Sequence, residues 1–309
     1  MNTSDSPKPR LALIAGPTAS GKSAVAIDLA VATGGVIVNA DASQVYRDLS
    51  LLTARPSAEE QAQAEHRLYG MVDAATAFSA ADWAEVARRE VAAIHAEGRL
   101  PILVGGTGLY IRTLLDGIAP VPEIPGEIRA VVRALPLESA RFALEEEDPL
   151  AAATIGPRDS ARVARALEVI RATGRSILAW RMTRAGGIGD TVTLVPLIVD
   201  PPSPLLYERC DRRLERMFDG GAIEEVAALL ERGLDPALPA MRAIGVPPLV
   251  AYLEERCDRA AALAAAQQAT RNYAKRQRTW FRHQVPPTWR RAEDAEAAYS
   301  CLMKAMNEI

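Results

Sequence analysis

The chain has 309 residues, 49% apolar and 24% charged, which describes a globular protein with a sizeable core and excludes disordered and fibrous classes. Lys and Arg number 36 against 39 Asp and Glu, a net charge of −3 that, taken whole, argues against a nucleic-acid ligand. The charge is segregated, however: positions 271–291 hold seven basic residues and no acidic one, positions 151–184 hold seven basic and two acidic, and the remainder carries −15.

Cys210, Cys257 and Cys301 are too far apart for a CxxC pair, which leaves no disulfide framework or zinc knuckle to read. The three histidines, His66, His95 and His283, make a His-based metal centre improbable. Residues 1–9 are polar, with no apolar segment behind them, and no run of about 18 apolar residues occurs, so a cytoplasmic protein with a disordered N-terminal tail and no membrane association is expected. Only four of the 36 cations are lysines: Lys8, Lys22, Lys275 and Lys304.

In chain order, residues 11–15 form an apolar run that breaks at Gly16 and gives way to a helical pattern over 23–32, which predicts strand, loop, helix. Residues 35–38 read as a second buried strand ending at Asn39, Ala40 and Asp41. Ser79 and Asp82 have the spacing of a capping box for a helix that runs to Gly98, with Trp83, Val86, Val91 and Ile94 as its apolar positions. A third strand, 101–104, is closed by Gly105, Gly106, Thr107 and Gly108, and a fourth, 193–199, by Asp200 and two prolines. Further helices are predicted over 205–218, 222–232 and 260–283. Short apolar strands alternating with helices predict an α/β fold with a parallel sheet. Between the third and fourth strands lies a stretch with almost no strand signal, opened by a proline-rich linker and closed by a glycine-rich one. The expected organisation is a tail over 1–9, a P-loop NTPase-like parallel-sheet core over 10–118 and 191–309, and an all-helical insertion over 119–190.

Gly16, Pro17, Thr18, Ala19, Ser20, Gly21, Lys22 and Ser23 fit GxxxxGK[ST] between a strand and a helix, the context that phosphate loop requires. Such a loop cradles a polyphosphate with its amides and the helix N-terminus, Lys22 adds a point charge, and Ser23 offers a ligand to Mg²⁺. The motif serves ATP-binding proteins, but its amides accept any diphosphate ester. Asp41 stands at the carboxyl end of the second strand, where open α/β sheets place ligands. It reads equally as a proton acceptor or as a strand-end turn residue. Thr107 reads as a donor to a bridging oxygen or as a turn residue among glycines.

The segments GPTASGKS, NADASQVYRDLSLLTARPS, FSAADW, LPILVGGTGLYI, ARALEVIRATGR, MRAIG and YAKRQRTWFR, in that order between positions 11 and 282, resemble the tRNA dimethylallyltransferases, also called tRNA isopentenyltransferases. The resemblance implies transfer of a dimethylallyl group from dimethylallyl diphosphate to N6 of the adenosine 3′-adjacent to the anticodon, position 37, with Mg²⁺. The loop then grips the leaving diphosphate. Adenine N6 is a poor nucleophile, and allylic C1 ionises only if the departing charge is neutralised, a role in which one well-aimed donor is worth ~3 kcal/mol. The resemblance implies Asp41 as general base, Thr107 and Lys22 as further catalytic residues, and Arg213, with Arg209 on the same helix, facing the diphosphate. For Arg213 a solvated helix position is the alternative.

The target base must leave the stacked anticodon loop, which calls for phosphate clamps and stacking surfaces around the site. The resemblance implies tRNA contacts by Asp41, Ala42, Ser43 and Gln44, by Thr107, and by Arg129. In the insertion it adds Ala161, Arg162, Val163, Ala164 and Arg165, and further on Arg242, Ala243, Ile244 and Gly245. The last group is Lys275, Arg276, Gln277, Arg278, Thr279, Trp280, Phe281 and Arg282. Arg271, Lys275, Arg278 and Arg282 recur on one helical face, with Tyr273, Trp280 and Phe281 interleaved and no acidic residue nearby in sequence. Arg158, Arg162 and Arg165 form a similar stripe. Ala42, Arg55, Ser160, Ala161 and Val246 depart from the family's usual residues, which bears on individual tRNA contacts. No obligatory protein partner is implied, and a monomer is expected. The rival readings are a phosphate-loop kinase of a small metabolite, which leaves the basic helices unexplained, a prenyltransferase of free adenine nucleotides, which needs no insertion, and a non-catalytic RNA-binding protein, which needs no phosphate loop.

Overall fold

A computed structural model describes residues 7–308. The first six residues of the expected tail lie outside that range; Pro7, Lys8 and Pro9 are exposed and lead into the first strand. The described chain divides into two compact units, one running up to Leu114 and resuming at Gly189, the other spanning Leu115–Ile188.

The first unit is built on a six-stranded parallel sheet. Strand β1 (Arg10–Ala15) passes through the phosphate loop into α1 (Lys22–Thr33), and β2 (Val36–Asn39) follows. The short α2 (Ala58–Gln63) precedes β3 (Glu65–Arg67), then come α3 (Ala80–Ala96), β4 (Pro101–Gly105) and α4 (Gly108–Asp116). The strand order is β3-β2-β4-β1-β5-β6, with every pair parallel. Strands β1, β2 and β4 are buried along almost their whole length, as strands covered by helices on both faces must be, and this is why they read as continuous apolar runs. The capping box opening α3 is present: Ser79 Oγ accepts from Asp82 N, and Asp82 accepts from Ser79 N at 2.9 Å. On that helix Trp83 is fully buried, stacks on Tyr110 at 4.5 Å, and donates from Nε1 to Asn39 O at 3.0 Å.

Two strands escape the sequence pattern. β3 and β6 (Arg290–Ala292) are three-residue edge strands made largely of charged residues. Polar composition is what an edge tolerates, and it erases the signal that marks a central strand. Arg67 of β3 is held by Glu65, Glu90 and Glu97 at 2.7, 3.2 and 3.0 Å.

In the second unit, α5 (Gly126–Ala134), α6 (Leu137–Glu147), α7 (Pro149–Thr154), α8 (Ser160–Thr173) and α9 (Ile177–Arg181) enclose their own apolar core around Leu144, Val163, Leu167 and Val169. Asp159 caps α8, and Gly174, at φ 64°, ends it. Glu168 is buried on α8 and pairs with Arg133 at 3.0 Å and Arg165 at 3.6 Å.

The chain returns to the first unit through β5 (Thr193–Val199), followed by α10 (Ser203–Asp219), α11 (Ala222–Glu231), α12 (Val246–Leu253) and the long α13 (Arg259–His283). After β6, α14 (Ala295–Asn307) packs its buried Ala298, Leu302 and Ala305 with residues of α1. Among the described residues no helix is long and apolar enough to cross a membrane.

Candidate active site

From β1 the chain crosses to β2 on one side of the sheet, and from β4 it passes to β5 on the other, so the carboxyl ends of β1 and β4 frame a topological switch point. The phosphate loop leaves β1 there. Gly16 sits so close to β5 that a Cβ would collide with Val199 O, and Gly21, at φ 94°, caps α1 with no side chain over the helix amides. Those amides face an open cleft of about 370 Å³ lined by the loop residues Thr18, Ala19, Ser20, Gly21, Lys22 and Ser23. Asp41, Gln44, Arg55, Glu60 and a row of arginines on α10, Arg209, Arg213 and Arg216, also line it. A row of guanidinium groups facing helix amides is an anion site by charge and by hydrogen-bond geometry.

Lys22 donates from Nζ to Pro17 O at 3.2 Å. Burial pulls its ammonium down to about 8, Asp41 opposing that shift and Arg213 reinforcing it. Arg213 donates to Thr18 Oγ1, its Nε is buried without a partner, and burial likewise lowers its pKa. Two underused, half-buried cations beside a phosphate loop fit a ligand that brings negative charge.

Asp41 is fixed by its neighbours. Its amide donates to Asn39 Oδ1 at 2.9 Å, and its Oδ1 accepts from Ser43 N at 2.9 Å. Asn39 is fully buried and donates from Nδ2 to the carbonyls of Asp41 and Leu68, both at 3.1 Å. Thr107 reaches the same place: its Oγ1 accepts from Ala42 N at 2.9 Å, and its side chain lies beside the phenol of Tyr273 on α13. The Tyr273 phenol is pushed up by burial and by Asp41. Thus Lys22, Asp41, Thr107 and Arg213 gather at one site.

A second, smaller pocket of about 50 Å³ adjoins them, lined by Thr18, Asp41, Arg213 and Tyr273 on its polar side and by Leu52, Leu214, Met217 and Ile244 on its apolar side. Sequence reading missed Leu52, Leu214 and Met217, because apolar residues from separate segments are indistinguishable from core until the fold brings them together. Leu52 belongs to a turn that α11 holds from outside: Glu225 accepts from Ser50 N, Leu51 N and Leu52 N at 2.6, 2.8 and 2.9 Å.

Several residues expected to touch RNA are instead used internally. Val163, Ala243, Gln277 and Phe281 are buried, so their side chains face the core. Gln44 donates from Nε2 to Thr53 O and Ala54 O at 3.0 and 2.7 Å, tying the turn that carries Leu52. Trp280 lies against Gly108, where a Cβ would enter its ring, and the Arg112 guanidinium stands 5.4 Å from its ring centre. The basic stripe also has acidic partners that sequence proximity hid: Arg271 pairs with Asp211 of α10 at 2.7 Å, and Arg278 with Asp200 at 2.5 Å. Of the expected contacts on α13, Lys275, Arg276, Thr279 and Arg282 are exposed. In the second unit Ala161, Arg162 and Arg165 are exposed, Ala164 is half-buried, and Arg129 is half-buried with an unpartnered Nε. Arg242 is exposed, Ile244 lines the small pocket, and Gly245 is buried at φ 94° against Leu52.

Sheet topology and site together define a phosphate-loop-like α/β protein whose anion cleft adjoins a carboxylate and a small apolar pocket. The IPP transferase family model matches residues 44–284. A tRNA dimethylallyltransferase of Sphingopyxis alaskensis is 62% identical over 282 residues, covering 91% of this chain and 92% of that protein, and one of Erythrobacter litoralis is 57% identical over 93% of this chain and 92% of that protein. Among solved structures, the full-length tRNA isopentenylpyrophosphate transferase of Bacillus halodurans is 32% identical with a TM-score of 0.71, covering 97% of this chain and 98% of that one. A eukaryotic dimethylallyltransferase acting on tRNA is 25% identical with a TM-score of 0.76, covering 88% and 70%. The chain belongs to the IPP transferase family, alongside the tRNA dimethylallyltransferases.

Proposed function

We propose that this protein transfers the dimethylallyl group of dimethylallyl diphosphate to N6 of the adenosine 3′-adjacent to the anticodon in tRNA, releasing diphosphate. The observation that carries the reading is the meeting of phosphate loop, Arg213, Asp41 and the small apolar pocket at one switch point, in a chain of this family. The diphosphate lies against the loop amides, Lys22 and the α10 arginines, and the five-carbon tail enters the pocket formed by Leu52, Leu214, Met217 and Ile244. The C1–O bond breaks with its electron pair leaving on the diphosphate, where the cations oppose the developing charge. N6 bonds to C1 and its proton passes to Asp41. Ser43 N occupies Oδ1, and Oδ2 has no hydrogen-bond partner among the described residues, which suits it to accept that proton.

The donor set also fits Mg²⁺ carried in by the diphosphate. Among the described residues no group of three or more His, Cys, Asp or Glu side chains could hold a metal, whereas Ser23 stands exposed at the start of α1 on the cleft wall. Ser23 would hold the ion there, and it would supply further charge neutralisation of the leaving group.

The RNA is proposed to approach the exposed face of α13. The deciding experiment incubates purified protein with Mg²⁺, labelled dimethylallyl diphosphate and tRNA. Label in the tRNA at the adenosine beside the anticodon is expected; ATP turnover with no transfer to tRNA would overturn the reading in favour of a kinase.

A further inference from the structure

Gln277 lies on α13 between the exposed Lys275 and Thr279, yet its own side chain is only 4% exposed. Both ends of its amide are engaged. Oε1 accepts from Thr18 N of the phosphate loop at 2.9 Å, and Nε2 donates to Gly106 O, in the loop that carries Thr107, at 3.0 Å. Gly106 is shaped to this contact, since a Cβ there would run into the Gln277 amide and stand 2.9 Å from Gly16 O. A buried amide whose donor and acceptor each satisfy a different loop fixes the spacing between those loops, because losing either bond leaves a buried backbone group unpaired.

We propose that Gln277 is a positioning residue that ties the RNA-facing helix α13 to the phosphate loop and the Thr107 loop at once, and so sets the distance between the diphosphate grip and the base-side residues. The proposal rests on the transferase reading above. It also means that Thr18 N is occupied by the protein and is not among the amides open to the diphosphate. Thr18 is held on its side chain too, by Arg213, so a shift of Gln277 moves a residue that borders both pockets. Gln277 itself touches neither diphosphate nor RNA and acts through the two loops.

The test compares Gln277→Met, which keeps the volume and removes both bonds, with Gln277→Glu, which keeps the acceptor for Thr18 N but offers Gly106 O a donor only when protonated. For Gln277→Met, kcat for prenyl transfer is expected to fall about 10²-fold, the scale of a misplaced reacting group, with tRNA affinity and its salt dependence within about twofold of the parent. The Kd for inorganic diphosphate should rise several-fold. For Gln277→Glu, part of the lost kcat should return as pH falls and the carboxyl takes up its proton, a profile that a purely structural lesion does not produce. Loss of tRNA affinity with kcat intact would instead make Gln277 an RNA contact and overturn the proposal, as would unchanged kcat and diphosphate affinity in both variants. If the unmutated protein transfers no prenyl group, the transferase reading fails by itself. The diphosphate titration then still decides for or against Gln277: equal affinities in parent and Gln277→Met refute it. If Gln277→Met does not fold, the pH profile of Gln277→Glu carries the decision, and a flat loss across pH refutes the bridge.

Discussion

Lys22 is the residue whose chemistry depends most on what occupies the cleft. In the free protein burial holds its ammonium at about 8, against an ordinary value of 10.5. The folded protein therefore binds fewer protons than the unfolded chain between those values, so this group opposes folding below about pH 8 and ceases to do so as pH rises toward 10.5. A diphosphate reverses the local balance by supplying the missing counter-charge. Diphosphate binding near pH 8.5 should then take up a proton, measurable as a buffer-dependent heat in calorimetry, and Lys22→Met should abolish the uptake while weakening affinity. Asp41 differs because it is held by backbone contacts on one oxygen and is open on the other. Asp41→Ala should leave diphosphate and tRNA affinity near parent levels and reduce single-turnover transfer by about 10² to 10⁴, the worth of a positioned base. Unaltered turnover would remove Asp41 from the proton path. Both residues were legible in the sequence, since one belongs to a motif and the other ends an apolar strand. Tyr273 was visible only as an aromatic among basic residues, and nothing local indicated that it lines the small pocket beside Asp41.

Helix α13 shows how one element can serve two surfaces. Its inner face contributes Ala274, Gln277 and Phe281 to the interior, and its outer face presents Lys275, Arg276, Thr279 and Arg282. Arg278 lies between them, with 15% of its side chain exposed, and joins Asp200 after β5 and the hydroxyl of Ser203. Charge reversal at Lys275 and Arg282 is therefore expected to weaken tRNA binding and to make its log–log salt slope shallower by about 1 for each phosphate no longer neutralised, while melting temperature and diphosphate affinity hold. Arg278→Glu should instead destabilise the fold by about 3 kcal/mol, because it strands Asp200 in a half-buried setting beside a second carboxylate. Thermal scans beside binding titrations separate the two outcomes. The sequence marked this helix as basic but could not sort its charges. Asp200 and Asp211, which neutralise part of the stripe, come from positions some 60 to 78 residues earlier in the chain. The same limit hid β3 and β6, whose identity as strands depends on a partner's edge rather than on their own pattern.

At the scale of the whole chain, the segregated charge is a set of local features. The two basic stretches lie in different compact units, and several of their arginines are neutralised by acids within the same unit. Net charge was a poor guide because it sums basic and acidic surfaces of the whole chain into one number. The sheet has a further consequence, for the time course of synthesis. β1 is made before every other strand of the sheet, yet it sits in the middle of it, paired in register with β5 some 180 residues later. Arg10 also donates to Met306 O at 3.0 Å, 296 positions away, and α1 is covered by α14 near the far end of the chain. A ribosome adding roughly 5 to 20 residues per second leaves the apolar edge of β1 without its neighbour for ~10 to 40 seconds. The nascent first unit is thus a four-stranded sheet awaiting β5 and β6. Refolding of the full-length chain from denaturant should be slow and limited by these distant pairings. Arrest of translation before α14 emerges should leave α1 accessible to protease, and protection should appear only once the C-terminal helix has cleared the exit tunnel.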